Sequence, residues 1–136
     1  MNKELFKRLL EYYHISEEDY RYLTRPVSAE TFASGHQFDH MQEAVEMVKD
    51  VVRNNGKIFI YGDYDADGVM GTSILVKMFK YINYEVSSYL PNRYQDGYGL
   101  TLKKAQECIE NGVDLLITVD NGVSCVEQIK LLRDHG

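Results

Sequence analysis

Lys57 to Ser73 reads KIFIYGDYDADGVMGTS. An apolar run of β-branched and aromatic residues, Ile58-Phe59-Ile60-Tyr61, leads into aspartates at alternate positions, Asp63, Asp65 and Asp67. Gly68 breaks the run, and a new apolar pattern begins at Val69. The stretch predicts a buried strand over 57–62, a carboxylate-loaded turn, and a helix from about Val69 to Asn83 with Met70, Ile74, Met78 and Ile82 four apart. Three carboxylates within five residues repel one another, so a cation is expected among them. Oxygen-only donors select a hard divalent ion, Mg²⁺ or Mn²⁺. A solvated acidic loop is the plain alternative, and the position directly after a buried strand counts against it. The same residues fit the first half of an EF-hand loop, with Asp63 at position 1 and Gly68 at position 6. Position 12 of that loop needs a bidentate glutamate and is Ile74 here, and the preceding segment is strand-like where an EF-hand has a helix.

Outward from this stretch the chain alternates. Downstream, a second strand is expected over 84–90, then the loop PNRYQDGYGL, a helix over 101–111 closed by Gly112, and a third strand over 114–119. That third run is uninterrupted and apolar, which predicts a central parallel strand. It ends in Asp120-Asn121-Gly122, and Ser124 with Glu127 predicts the capped start of a last helix. Upstream, Met41, Ala44, Val45, Val48 and Val52 form one helical stripe, with a cap expected from Asp39 and Gln42 and a stop at Asn55-Gly56. Residues 3–13 form an amphipathic helix, Ser16 with Asp19 marks another helix start, and 24–38 reads as a connector. The order predicts an α/β fold: a three-layer, Rossmann-like parallel sheet with right-handed crossovers and an N-terminal helical leader. The expected division is a leader and connector at 1–38 and the sheet domain at 39–136. The spacing of the leader tyrosines (Tyr12, Tyr13, Tyr20, Tyr22) favours packing over base stacking.

The 136 residues, 44% hydrophobic and 26% charged, suit one globular domain with a core. No apolar stretch reaches membrane-spanning length, and the N-terminus lacks a signal-peptide core. Cys108 and Cys125 lack CxxC spacing and read as free thiols of a cytoplasmic protein. A net charge of −6 argues against a broad basic footprint for duplex DNA. It leaves room for a nucleic-acid enzyme whose acidity is partly a metal site. Of the histidines, His14, His36, His40 and His135, only His36 and His40 are kept as candidate ligands.

In parallel α/β sheets, sites form at the carboxyl ends of strands. There the first strand delivers Asp63, Asp65 and Asp67, and the third delivers Asp120. Four carboxylates of this kind suit two metal ions about 4 Å apart in phosphoryl transfer. Asn92 and Arg93 follow the second strand, and Arg93 suits a phosphate through its planar fork or else forms a surface salt bridge. Gly97 and Gly99 allow close backbone approach or a turn. Gly71, Thr72 and Ser73 beside the aspartates serve an anion or helix–strand packing.

GDYDADG, PNRYQDGYGL and ITVDNG, in this order and spacing, resemble the DHH phosphoesterase superfamily, and most nearly its RecJ-type branch of single-strand-specific 5′→3′ DNA exonucleases. The resemblance covers about Lys57 to Gly136. It implies Asp65, Asp67 and Asp120 as catalytic ligands of Mn²⁺ or Mg²⁺, with Asp63 a ligand or a close supporting partner. Asn121 and Gly122 complete the third motif and are expected, with Asn92 and Arg93, to contact substrate. It implies single-stranded DNA as partner and a role in DNA repair and recombination. The superfamily's Asp-His-His motif is not in this sequence, since Asp134-His135-Gly136 has no strand before it. The expectation is therefore an N-terminal piece of a longer enzyme with an incomplete metal site, completed by the rest of that chain and prone to self-association through an open sheet edge. Within the superfamily, a hydrolase of short oligonucleotides, cyclic dinucleotides or polyphosphate is the alternative. Outside that activity, a non-catalytic α/β interaction module is a rival. A receiver-type phosphoacceptor domain would need a lysine at a later strand end, and none follows Asp120 in a suitable place.

Overall fold

A computed structural model of the chain describes residues 3–26, 28, 34–94 and 96–136, excluding the side chains of Lys3 and His36. Much of the expected connector therefore lies outside the described residues, as does the side chain of the candidate ligand His36. The chain forms two compact units, Met1–Met41 and Gln42–Gly136.

The first unit holds α1 (Lys3–Tyr12) and α2 (Glu17–Thr24). The Ser16–Asp19 pair makes the capping box its spacing predicts: Ser16 Oγ accepts from Asp19 N–H at 3.0 Å and Asp19 Oδ2 accepts from Ser16 N–H at 3.1 Å. Phe6 and Tyr20 meet edge to face, ring centres 5.1 Å apart. Gly35–Gln37 make one turn of 3₁₀ helix.

The second unit runs α3 (Met41–Arg53), β1 (Ile58–Tyr61), α4 (Ala66–Tyr81), β2 (Ser87–Tyr89), α5 (Leu102–Glu110), β3 (Leu115–Thr118) and α6 (Val126–Arg133), α3 starting at the last residue of the first unit. The three strands are parallel in the order β2-β1-β3. β1 is the most buried strand and its alternation serves both faces. Ile58 and Ile60 pack with Phe79 of α4 and with Val48, Val51 and Val52 of α3. Tyr61 packs on the other side with Leu100 and Cys125, beside Phe59, Tyr89 and, from α6, Ile129 and Leu132. The result is the expected three-layer α/β/α arrangement. α3 ends as Asn55-Gly56 predicts: Asn55 takes the left-handed conformation (φ 53°) and Gly56 N–H reaches back to the Val51 carbonyl at 2.9 Å.

Several sequence expectations are corrected. β3 is an edge strand and not central. Its apolar run correctly reports two covered faces, since Leu115 and Ile117 serve one core cluster and Leu116 the other, but a run of this kind carries no information about lateral neighbours. α4 begins at Ala66, three residues earlier than expected, because Asp65 caps it, and Gly68 lies inside its first turn. The Asp39–Gln42 cap does not form: α3 starts at Met41 after a left-handed His40, and Gln42 Nε2 donates to Glu46 at 3.1 Å instead. The Ser124–Glu127 cap does not form either, since Cys125 occupies the cap position with no side-chain hydrogen bond. Cys125 is thus not within a helix, although both cysteines are buried free thiols as expected.

Candidate metal centre

Local structure at the end of β1 follows from the sequence GDYDADG. Gly62 leaves the strand with its N–H bonded to the Tyr89 carbonyl at 3.0 Å, and Asp63 is turned inward, 3% exposed. Asp63 Oδ1 accepts from Tyr64 N–H at 2.7 Å. Asp65 has extended backbone angles and caps α4, its Oδ1 accepting from Gly68 N–H at 3.0 Å. Asp67 follows in the first turn, where the helix dipole favours negative charge. Gly68 is required sterically: a Cβ there would lie 2.5–2.7 Å from main-chain atoms of Asp63. The glycine lets the helix start press directly against the residue that carries the buried carboxylate.

From the neighbouring strand, Asp120 stands just beyond β3 in the left-handed region, φ 60°. Asn121 fixes this corner, its Nδ2 donating to the Val119 carbonyl at 2.9 Å and to the Tyr61 carbonyl of β1 at 3.3 Å. It ties the ends of β1 and β3 together, so the spacing between Asp63 and Asp120 is built into the backbone. Gly122 (φ 97°) sits over Thr118, whose Oγ1 lies 2.7 Å from where a Cβ would be.

Asp63, Asp65 and Asp120 each bring one ligand oxygen to within 4.8 Å of the others. Asp67 lies outside this trio but close enough to act on Asp120. Partial desolvation, then the Asp65 and Asp67 carboxylates, push the Asp120 carboxyl above its usual range, with Asp65 placed to share a hydrogen bond with it. Among the described residues no lysine, arginine or histidine forms an ion pair with any of these four aspartates. A buried carboxylate beside two more, without a cationic side chain, suits a divalent cation with hard oxygen preference.

Of the remaining sequence candidates, Asn92, Arg93, Asn121 and Gly122 follow the carboxyl ends of β2 and β3, while His40 belongs to the first unit and is not in the trio. Asn92 braces its own loop: its Oδ1 accepts from Tyr94 N–H at 2.9 Å, and its N–H donates to Asp96 Oδ2 at 2.7 Å. Arg93 is exposed and lies over the Tyr64 ring, 5.6 Å from its centre. It pairs with no described carboxylate. Tyr98, Asp120, Asn121, Gly122, Val123 and Ser124 line a depression of about 370 Å³. A larger cavity of about 820 Å³ opens around the start of β1 and β2, near Lys57 and Tyr84, and contains none of these carboxylates.

Sequence reasoning missed the supports. Tyr61, read only as part of an apolar run, is fully buried and donates its hydroxyl to the Gly99 carbonyl at 3.0 Å. Burial pushes its phenol up to about 12. Tyr89 donates to Asp96 Oδ2 at 2.7 Å. Both tyrosines anchor the 91–100 loop to the sheet. The available signal was a tyrosine at the last position of each of two strands bordering a glycine-punctuated loop.

The DHH family, N-terminal domain, matches residues 57–136. The single-stranded-DNA-specific exonuclease RecJ of Bacillus subtilis (strain 168) is 38% identical over 96 residues, 71% of this chain and 12% of that protein. The protein of the same name from Escherichia coli (strain K12) is 34% identical over 101 residues, 74% of this chain and 18% of that protein. Two solved structures align with it. Exonuclease RecJ bound to manganese gives a TM-score of 0.63 at 33% identity, over 68% of this chain and 24% of that one. RecJ of Thermus thermophilus in complex with Mn²⁺ gives 0.62 at 26% identity, over 92% of this chain and 17% of that one.

Proposed function

Since the chain belongs to the DHH family, we propose that its second unit supplies the carboxylate half of a metal-dependent phosphodiesterase that removes nucleotides from single-stranded DNA in the 5′→3′ direction, in DNA repair and recombination. The observation that carries this reading is the trio Asp63, Asp65 and Asp120, gathered within 4.8 Å around a 3%-exposed carboxylate without a cationic side chain. The proposed division assigns the chemistry to 39–136, with 1–38 a helical leader. Asp63, Asp65 and Asp120 would hold Mn²⁺ or Mg²⁺, with Asp67 beside them as a further ligand or field-setting charge. Such an ion, when bound, supplies an activated water and compensates charge on the phosphoryl oxygens. The chain's own residues do the rest. The tie from Asn121 to β1 holds the carboxylates at fixed spacing, and the buried wall behind Asp63 limits water. Arg93, parked over Tyr64 with its fork unpaired, is placed to take a phosphate. Asn92, Asn121 and Gly122 frame the substrate beside it. No helix of the described residues is long and apolar enough to cross a membrane. We place the reaction in the cytoplasm, where buried free thiols stay reduced, and read the open edge of β3 as a surface of association with further polypeptide.

The test has two parts. Calorimetric titration of Mn²⁺ into the chain should show weak binding that Asp120→Asn and Asp63→Asn both diminish. Residues 57–136 should then replace the matched segment of the Bacillus subtilis exonuclease, and the chimera should be assayed on 5′-labelled single-stranded and duplex DNA. We expect metal-dependent digestion of the single strand, lost by more than about 10²–10³-fold in Asp65→Asn, Asp67→Asn or Asp120→Asn with the fold retained. Unaltered Mn²⁺ affinity in the aspartate variants, or full turnover by any of them in the chimera, overturns the assignment.

A further inference from the structure

The loop that carries Arg93 is fastened from within. Asn92 and Asp96 clamp each other in both directions: Asp96 N–H donates to the Asn92 carbonyl at 2.8 Å, and Asn92 N–H donates to Asp96 Oδ2 at 2.7 Å. The clamp closes the turn 92–96, and Arg93 stands inside it. The same oxygen, Asp96 Oδ2, accepts the Tyr89 hydroxyl at 2.7 Å. Tyr89 is the last residue of β2, and two neighbours hold its ring. It stacks on the buried Tyr61, ring centres 5.9 Å apart. Lys104 Nζ of α5 lies 4.1 Å from the ring centre and is steadied by Glu107 at 2.5 Å. One carboxylate oxygen thus joins the loop to the sheet and, through Tyr89, to α5. Arg93 itself has little else to aim it. Its side chain is exposed, and its guanidinium rests 5.6 Å from the centre of the Tyr64 ring. A cation over a partly exposed ring is a weak hold for a side chain with so many rotamers. Hydrogen bonds to an ionised carboxylate are roughly twice as strong as neutral ones, so the Asp96 clamp fixes the base from which Arg93 reaches. Tyr64 stands between Asp63 and Asp65, so an arginine in register with that ring is in register with the carboxylate trio.

We propose that Asp96 and Tyr89 are positioning residues for Arg93: they touch no substrate, and they set the place at which the guanidinium meets a phosphate of the strand. The inference rests on the reading of Arg93 as a phosphate contact and extends it from the group that binds to the groups that aim it. Substitutions separate the parts. Tyr89→Phe keeps the ring, its stack on Tyr61 and its contact with Lys104, and removes only the hydroxyl. Asp96→Ala removes both bonds at once. Asp96→Asn keeps an acceptor oxygen without the charge. The loss should therefore be graded, larger in Asp96→Ala than in Asp96→Asn, and Tyr89→Phe should add nothing to Asp96→Ala. Misplacing an orienting group by about 1 Å costs up to about 10²-fold in rate, so a clamp outside the substrate's reach can still govern how well the substrate is held.

The first measurement uses the whole chain. Nuclear Overhauser contacts between the Arg93 side chain and the Tyr64 ring should be present in the wild type, weaker in Asp96→Asn and absent in Asp96→Ala. Mn²⁺ affinity should be the same in all three, because the metal-binding aspartates do not move. The second measurement uses the chimera carrying 57–136, assayed on 5′-phosphorylated oligodeoxythymidylate. Asp96→Ala should raise KM about tenfold with kcat within about twofold of the wild type, and Asp96→Asn should recover part of the loss. In an Arg93→Ala background Asp96→Ala should cost nothing further, since effects that pass through one group do not add. Arg93–Tyr64 contacts that persist in Asp96→Ala overturn the positioning. An undiminished cost of Asp96→Ala with Arg93 already removed overturns it too, since the loop is then merely structural, and so does a loss of Mn²⁺ affinity in Asp96→Ala. An Arg93→Ala chimera with unchanged KM strikes the phosphate contact and the aiming with it. A wild-type chimera without activity strikes the nuclease reading instead, and the contacts in the whole chain still decide the positioning.

Discussion

At the scale of single residues, Asp120 concentrates the tension in the site. It is a non-glycine residue in a left-handed conformation, and it faces three other carboxylates. Asp120→Asn relieves the repulsion at nearly constant shape, so the metal-free variant should melt at a higher temperature than the wild type. Added Mn²⁺ should then raise the melting temperature of the wild type more than that of the variant. Calorimetric scans with chelator and with metal check both, and a lower metal-free melting temperature in the variant would contradict the account. Asp96 shows the opposite sign. The Asn92 N–H, then the Tyr89 hydroxyl, hold its carboxyl below the usual range. A lowered folded value means that its contribution is present above the ordinary carboxylate pKa and is lost as pH falls through the lowered one. The 91–100 loop should therefore loosen in that acidic window, read as faster exchange of the Asn92 amide, and Asp96→Asn should show the looser loop already at neutral pH. The aspartates themselves were legible in the sequence, because a charge cluster after an apolar run has few physical excuses. The tyrosine anchors were not, because a hydroxyl's partner is set by tertiary contact, and a tyrosine at the end of each strand marks a place without naming that partner.

At the scale of elements, the junction of β1 and α4 decides the geometry. Glycine in a helix ordinarily destabilises it by about 1 kcal/mol relative to alanine. Gly68→Ala should reverse that rule, destabilising the chain by about 1–3 kcal/mol through overpacking against the Asp63 main chain. It should also weaken Mn²⁺ binding, because Asp63 has to move. Urea unfolding beside a Mn²⁺ titration measures both, and a stabilised variant with intact metal affinity would refute the packing argument. Alternation of strands and helices, helix stops at Asn55 and Gly112, and the parallel sheet were all readable from periodicity and turn chemistry. Helix starts were less so. Asp65 looked like a loop carboxylate and serves as the cap of α4, while Ser124 had capping chemistry without the backbone to use it. Lateral order was the least legible, since the apolar content of a strand reports what lies above and below it and not what lies beside it.

At the scale of the whole molecule, protection should be graded. In the first unit α2 has no buried residue, and the buried core belongs to the second unit. Hydrogen exchange should be fastest in α1 and α2 and slowest in β1, and uniform protection across both units would contradict that division. Within the second unit, one strand of four residues supplies side chains to both layers, Ile58 and Ile60 to one and Tyr61 to the other. Neither layer keeps its core without β1, so the layers have no separate melting transitions open to them. Asp63 follows β1 after one glycine, and Asn121 grips the carbonyl of Tyr61. Denaturation thus removes the ligand set and both cores in a single all-or-none event, and a bound-ion signal becomes a faithful gauge of the folded fraction.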